Sequence, residues 1–214
     1  MIILHLFRLS ERRDSMSESD EYMTLVSANE NEIKIKKSRF IANAFHIESK
    51  EDLQKYINKI RKKFFDARHH PYAYITRKDN FRYSDDDEPA GTSGLPIYEA
   101  ICKYNFTDTL VIVTRYFGGI KLGTGGLKRA YFQAADNCLK NSISEKKYLY
   151  DKIDLSVDFS YISQVMKLFE KYNVISDKDY SEECFSQTIS IRKSLKNNFI
   201  NELINYTNGK IKFF

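Results

Sequence analysis

The chain contains little glycine, proline or cysteine for its 214 residues, and the placement of these residues is uneven. Seven of its eight glycines fall between Gly91 and Gly126, and its three prolines all lie between Pro71 and Pro96. Glycine is needed where the backbone adopts positive φ or approaches another group closely. We therefore expect any site that depends on special backbone geometry to lie in this one region.

The three cysteines, Cys102, Cys138 and Cys184, are far apart, and no CxxC pair is present. This spacing argues against a disulfide framework and against a structural zinc site, and it favours a reducing cytoplasm. Cys102 and Cys138 fall on apolar faces of predicted helices and are interpreted as small buried hydrophobic residues. No metal and no cofactor are predicted.

Long hydrophobic runs are also missing. No apolar stretch approaches transmembrane length, so no membrane partner is expected. The first seven residues are too short for a signal peptide core and lack a basic segment and a cleavage site. The charged, serine-rich sequence that follows predicts a disordered leader over residues 1–22, with Met16 and Met23 as alternative initiators.

The net charge of +5 permits an anionic partner such as RNA without requiring one. A lysine-rich solvated surface would explain the same charge.

The hydrophobic pattern predicts two domains and an α+β fold. The first domain, 28–143, is expected to contain a helix beginning at Ser49, a buried strand at Thr109–Thr114 and a helix at Leu127–Leu139. The charged SEKK sequence at Ser144–Lys147 is interpreted as a linker.

The second domain, 148–214, shows the element order strand, helix, strand, strand, helix, strand, which is the ferredoxin-like βαββαβ arrangement. The predicted bounds are Ile153–Phe159, Ile162–Tyr172, Val174–Tyr180, Phe185–Ile191, Lys196–Tyr206 and Lys210–Phe214.

The glycine segment, residues 115–129, follows the buried strand and leads into a helix whose first turn carries two cations. Unpaired N–H groups at a helix start form a natural anion site. The spacing matches neither a Walker A loop nor a dinucleotide fingerprint. Glycines that serve only tight turns and close packing are an equally open interpretation. The predicted phosphate- or nucleic-acid-binding residues are Arg115, Tyr116, Gly118, Gly119, Lys121, Gly123, Thr124, Gly125, Gly126, Lys128 and Arg129.

The acidic loop, residues 84–94, has the sequence SDDDEPAGTSG. Clustered carboxylates can hold Mg²⁺ or act as acid and base, but a solvated turn stabilised by local backbone bonds is favoured, and ion pairs to the glycine segment are a further alternative. No known catalytic pattern joins His69, Asp85 and Ser84, so no catalytic residue is assigned. The residues left with an unassigned role are His69, His70, Ser84, Asp85, Asp86, Glu88, Gly91 and Thr92.

Four segments together resemble the YigZ/IMPACT family of uncharacterised proteins: KKSRFIA, ARHH, SDDDEPAGTSG and VTRYFGGIKLGTGGLKRAY. The resemblance implies an N-terminal βαβ domain of the type found in a small-subunit ribosomal protein and in domain IV of elongation factor G. It also implies that the second domain is similar to the ferredoxin-like C-terminal domains of that factor. Asp87 stands where the family usually has glycine, which puts a positive-φ turn there in question.

Residues and resemblance together predict a non-enzymatic cytoplasmic protein that binds RNA or the ribosome and modulates translation. The four cations of the glycine segment would contact phosphates, and Tyr116 or Phe117 would stack on a base. One alternative is a Mg²⁺-dependent enzyme or binding protein for a phosphorylated small molecule. The other is an adaptor that uses the same surface to bind a protein partner.

Overall fold

A computed structural model describes residues 20–77, 80–176 and 185–214 of the chain, and its fold is of the mixed α+β class. The predicted leader up to residue 19, Cys184 and the predicted strand beyond residue 176 lie outside these residues. The chain divides into two compact units. The N-terminal unit is Tyr22–Lys147, and the C-terminal unit joins Tyr148–Phe214 to the segment before Tyr22. No helix of the described residues is long and apolar enough to cross a membrane.

The elements up to the unit boundary alternate between strands and helices. In chain order they are β1 (Glu21–Leu25), β2 (Asn29–Ile35), β3 (Ser38–His46), α1 (Lys50–Lys63), β4 (Tyr72–Ile75), β5 (Phe81–Ser84), α2 (Gly94–Lys103), β6 (Thr109–Tyr116), α3 (Gly123–Lys140) and β7 (Ser144–Tyr148).

The core of the N-terminal unit is an antiparallel five-stranded sheet of order β2-β3-β6-β4-β5. Successive residues of a strand point to opposite faces. Phe45, Leu110 and Ile112 therefore pack against α1 on one face. On the other face α2 and α3 cover the sheet, and Phe40 meets Tyr131 of α3 edge-to-face at 5.1 Å. Consecutive residues at the end of β6 consequently belong to different layers.

Two helix starts test the sequence predictions. Ser49 caps α1, because its hydroxyl accepts a hydrogen bond from the Asp52 N–H at 3.1 Å and donates one to the Asp52 carboxylate. The helix was predicted to begin at Ser49, and this cap confirms that start. The start of α3 was predicted at Leu127, whereas the helix begins at Gly123. The glycines that suggested a loop therefore form the first helical turn.

The predicted charged linker at Ser144–Lys147 is wrong, because these residues form β7, which pairs with β1. Residues 20–22 of the predicted leader are ordered too, since Asp20 is buried and Glu21 begins β1. The N-terminal unit begins earlier and ends later than the predicted 28–143.

The C-terminal unit is a second antiparallel sheet, of order β11-β8-β10-β9, with an apolar core that includes Leu155, Phe169 and Phe199. Both helices were predicted with the bounds they have in the structure. The elements are β8 (Tyr150–Val157), a 3-10 turn (Phe159–Tyr161), α4 (Ile162–Tyr172), β9 (Ile175–Ser176), β10 (Phe185–Arg192), a 3-10 turn (Lys193–Leu195), α5 (Lys196–Tyr206) and β11 (Lys212–Phe213).

Asp20 forms a buried ion pair in the C-terminal unit. Its carboxylate accepts two hydrogen bonds from Arg192, at 2.7 and 3.2 Å, and two more from the N–H and hydroxyl of Ser194. The side chain is only 3% exposed. The hydrogen bond from Arg192 is the largest cause that lowers the pKa of Asp20 from 3.8 to about 2. The charged form of Asp20 therefore stabilises the folded state.

We expect Asp20→Asn to destabilise the protein at neutral pH by roughly 2 kcal/mol, the free-energy equivalent of the pKa shift. Because the folded pKa lies below the unfolded one, this stabilisation is present above pH 3.8 and is lost as the pH falls toward about 2. Denaturant unfolding of both proteins across this range measures the difference. A difference in stability that stays constant down to about pH 2 would contradict the assignment.

Candidate functional site

The acidic loop folds around the carboxylate of Asp85. This carboxylate accepts hydrogen bonds from the backbone N–H groups of Gly91 (2.8 Å), Ser93 (3.0 Å) and Gly94 (2.9 Å), and from the Ser93 hydroxyl (2.8 Å). Burial raises the pKa of Asp85, but these hydrogen bonds outweigh burial and hold the pKa below its ordinary value. Asp85 is therefore the ionised centre of a tight turn.

Asp86 attaches the acidic loop to the segment before β4. Its two carboxylate oxygens accept hydrogen bonds from Arg61 and from the backbone N–H of His70, both at 2.7 Å. Its carbonyl oxygen lies 2.8 Å from Nδ1 of His69. The His70 ring is buried 3.0 Å from the Thr114 hydroxyl, and burial lowers its pKa. Of the two adjacent histidines, His70 is therefore a core residue.

Positive φ angles shape the tip of the acidic loop. Asp86 has φ 45° and Asp87 has φ 68°. The positive-φ turn that Asp87 put in question is therefore present, and aspartate tolerates this region better than most residues. The loop is completed by hydrogen bonds of Ser84, whose hydroxyl accepts from the Asp86 N–H at 3.4 Å, and of Thr92, whose hydroxyl donates to Pro89 at 2.6 Å.

A buried network of Glu88, Arg115 and Tyr131 joins the acidic loop to β6 and α3. One carboxylate oxygen of Glu88 accepts hydrogen bonds from Arg115 at 2.6 Å and from the Tyr131 hydroxyl at 2.7 Å. The side chains of Arg115 and Glu88 are 9% and 4% exposed. Burial and the neighbouring Glu88 carboxylate raise the pKa of Tyr131 well above its ordinary value, so this phenol stays protonated.

The buried network corrects one sequence prediction and confirms another. Arg115 was predicted to contact phosphate, but its guanidinium is paired with Glu88 and almost fully covered. The alternative that the acidic loop and the glycine segment are joined by an ion pair is confirmed.

The carboxylates of Asp85, Asp86 and Glu88 are therefore engaged by protein groups, whereas Asp87 is exposed. In residues 20–77, 80–176 and 185–214, no group of three or more His, Cys, Asp or Glu is arranged to hold a metal ion. Asp85 faces backbone N–H groups while the Nδ1 atom of His69 faces a carbonyl, so these two residues and Ser84 do not form a catalytic arrangement.

Tyr116 lies on the opposite face of the sheet from Arg115, next to the end of α1. Its hydroxyl donates a hydrogen bond to Asp66 at 2.6 Å, which raises its pKa. The Arg39 guanidinium lies 5.2 Å from the centre of its ring. Of the two aromatic residues predicted to stack on a base, Tyr116 is therefore occupied, whereas the neighbouring Phe117 is exposed.

Gly118 lies against the turn between β2 and β3. A Cβ atom at this position would collide with the backbone of Lys37 and Ser38, so only glycine fits. The Gly118 N–H donates a hydrogen bond to the Ser38 hydroxyl at 3.1 Å. The turn itself has two residues, Lys36 and Lys37, both with positive φ as a two-residue hairpin requires. Gly118 therefore holds the tip of this hairpin beside the glycine segment.

The first turn of α3 is almost free of side chains. Gly123, Thr124 and Gly125 supply its first N–H groups, and no side chain of the described residues makes a capping hydrogen bond there. Thr124 was predicted to contact phosphate or nucleic acid. It lies inside the first turn and does not cap it, which leaves its exposed hydroxyl for a ligand. Unsatisfied N–H groups and the helix dipole both favour an anion at this end of α3.

Exposed cations surround this helix start. Lys121, Lys128 and Arg129 are exposed, and among the residues that the structure describes no ion pair involves them. Sequence reasoning missed the two lysines of the hairpin turn, although a two-residue turn after the alternating strand EIKI is a recognisable hairpin signal. Gly119 has φ 82° and lies in the exposed loop between β6 and α3.

These observations define an α+β protein in which a buried ion pair joins an acidic loop to the sheet, beside an exposed basic surface lined by glycine. Residues 36–139 match the model of the Impact N-terminal domain, a range that contains both the acidic loop and the glycine segment. The chain belongs to the IMPACT family, as its curated relatives also show.

Two relatives cover most of the chain. It is 34% identical to the IMPACT family member YvyE of Bacillus subtilis over 192 residues, which are 88% of each protein. It is 40% identical to an IMPACT family member of Haemophilus influenzae over 158 residues, 72% of this chain and 77% of the relative. A crystal structure of a hypothetical protein has a TM-score of 0.65 and 24% identity, covers 91% of this chain and 97% of its own, and shows the fold alone.

We expect Gly118→Ala to destabilise the N-terminal unit by about 3 kcal/mol, because the added methyl group collides with rigid backbone. Gly125→Ala is the matched control, since its Cβ would meet only the Arg129 side chain at an ordinary 3.6 Å. Replacing a helical glycine by alanine should stabilise the protein by about 0.5–1 kcal/mol. Urea unfolding of both variants tests the prediction, and equal effects would contradict it.

Glu88→Ala should cost about 3–5 kcal/mol, because it leaves the Arg115 guanidinium buried without a counter-charge. Asp66→Ala serves as the control, since it removes the acceptor of the Tyr116 hydroxyl at a more exposed position and should cost about 1 kcal/mol or less. The measurement is the free energy of unfolding from denaturant titration. A loss for Glu88→Ala no larger than that for Asp66→Ala would show that the buried network contributes little.

Proposed function

We propose that this chain is a non-enzymatic cytoplasmic protein that binds RNA or the ribosome and modulates translation. The observation that carries the proposal is the start of α3, where the backbone N–H groups of the first turn have no side-chain cap. These N–H groups lie beside Lys121, Lys128 and Arg129, which are exposed and have no ion-pair partner among the described residues. Phosphate oxygens are the ligands that satisfy both kinds of group at once.

The charge balance supports the same ligand. Two carboxylates of the acidic loop are paired with Arg61 and Arg115. Among the residues that the structure describes, no ion pair joins this loop to the three exposed cations of the glycine segment. An uncompensated group of cations attracts a polyanion at long range and adds a salt-dependent contribution to its affinity.

The finer fold assignment is part of this proposal. The strand order β11-β8-β10-β9 with one helix after the first strand and one before the last supports a ferredoxin-like βαββαβ C-terminal unit. The N-terminal unit is proposed to share the βαβ fold of a ribosomal protein and of elongation factor G domain IV. Folds shared with ribosome-associated proteins raise the expectation of the same partner by analogy only.

The test is co-sedimentation with ribosomes and with RNA at low and high salt. About three phosphate contacts predict that binding weakens roughly 20- to 40-fold when salt rises from about 50 to about 200 mM. Lys128→Glu/Arg129→Glu should abolish most pelleting and flatten the salt dependence. Lys59→Glu/Lys62→Glu makes the same charge change on the exposed face of α1 and should leave binding largely intact.

A second variant separates binding from stability. Gly125→Ala should raise the stability of α3 yet weaken binding, because its methyl group covers backbone that a phosphate would approach. Binding that does not respond to salt, or equal losses in both double variants, would refute a phosphate-binding surface at this helix. Pelleting that survives nuclease treatment of the sample would favour the protein adaptor instead.

A further inference from the structure

Phe117 is a large aromatic side chain placed on the surface of the glycine segment. It is 58% exposed, and the loop it begins also exposes Ile120. Exposing such a ring to water costs free energy that a ligand covering the ring would recover. A ring exposed on a surface of uncompensated cations indicates a ligand that combines a flat apolar face with negative charge.

The Phe117 ring lies against the Arg115 guanidinium of the buried network. The Arg115 guanidinium lies 5.6 Å from the centre of the Phe117 ring and at the same distance from the Phe40 ring. Glu88 holds that guanidinium at 2.6 Å, and the Glu88 carboxylate is fixed in turn by Tyr131. The Phe117 ring therefore lies against side chains that are held in place. Packing a flat ligand on the ring would cost little entropy, because the Phe117 side chain is already ordered.

Exposed cations of the hairpin turn and of the glycine segment accompany the ring. The backbone of Lys37 lies directly against Gly118, the residue after Phe117, and it brings the hairpin lysines to this loop. Lys121 follows four residues after Phe117 and is exposed. An exposed aromatic ring accompanied by cations is the combination that binds the bases and the phosphates of a single strand.

We infer that Phe117 is a stacking platform for an unpaired base, and that the ligand of this surface is single-stranded RNA or an unpaired RNA loop. The inference rests on the proposed function and names the form of RNA that it requires. In a duplex the faces of the bases are stacked on one another and closed to a protein side chain. Tyr116 does not share this role, because Arg39 and Asp66 occupy its ring and hydroxyl.

The first experiment compares Phe117→Leu with the wild type for binding to an RNA strand of about 12 nucleotides and to the same strand in a duplex. We expect the wild type to prefer the single strand. Phe117→Leu should weaken binding of the single strand about 5- to 150-fold, the range that loss of one stacked base gives. Phe65→Leu changes the same residue type at an 83% exposed position outside the glycine segment and should bind as the wild type does.

A second variant reports on stacking directly. The chain contains no tryptophan, so Phe117→Trp places a single indole at the proposed platform. Its aromatic face should retain the wild-type affinity, and its fluorescence should be quenched by the single strand at the concentrations where binding occurs.

The outcomes separate the two proposals. Wild-type affinity in Phe117→Leu, or a duplex bound as tightly as the strand, overturns the stacking platform. Phosphate binding then still stands if Lys128→Glu/Arg129→Glu loses salt-sensitive binding. If the wild type binds neither RNA nor ribosomes, the proposed function and the inference fail together.

Discussion

The arrangement of the N-terminal unit depends on the pairing of one buried carboxylate with one buried guanidinium. A charge removed from water is tolerated only when it is paired and hydrogen-bonded, so Glu88 and Arg115 have to meet for either to be buried. Glu88 and Arg115 lie far apart in the sequence. The Tyr131 hydroxyl of α3 donates a hydrogen bond to the same carboxylate oxygen of Glu88. The acidic loop therefore has a structural role, because its Glu88 fixes Arg115 of the glycine segment in the interior. The exposed cations of that segment remain available to a ligand.

Much of the fold could be predicted from hydrophobic period and from local capping. The bounds of α4 and α5 follow from buried residues at helical spacing, such as Val165 and Phe169 in α4. The start of α3 and the strand β7 could not be predicted in this way. Glycine is a poor helix former, and SEKK is a polar sequence, so their conformations are set by tertiary context: packing of α3 on the sheet in one case and pairing with β1 in the other.

The candidate site was predicted as a set of residue types without their positions. Arg115, Tyr116 and Phe117 are consecutive, and sequence alone treated them as one group of ligand contacts. Alternation along β6 sends the first into the buried network and the second to the α1 face. Only the third remains exposed, because the strand has ended before it. Whether a charge is buried depends on a partner that is distant in sequence, which local patterns do not encode.

The pairing of β1 with β7 bears on how this protein is assembled. The Leu149 N–H donates to the Asp20 carbonyl at 2.8 Å, so the chain enters and leaves residues 22–147 at adjacent points. A domain whose ends are neighbours behaves topologically as an insertion in its host. The two ends of the N-terminal unit are therefore close enough to be joined in a circular permutation. They are also close enough to be inserted between paired strands of another protein without stretching either connection.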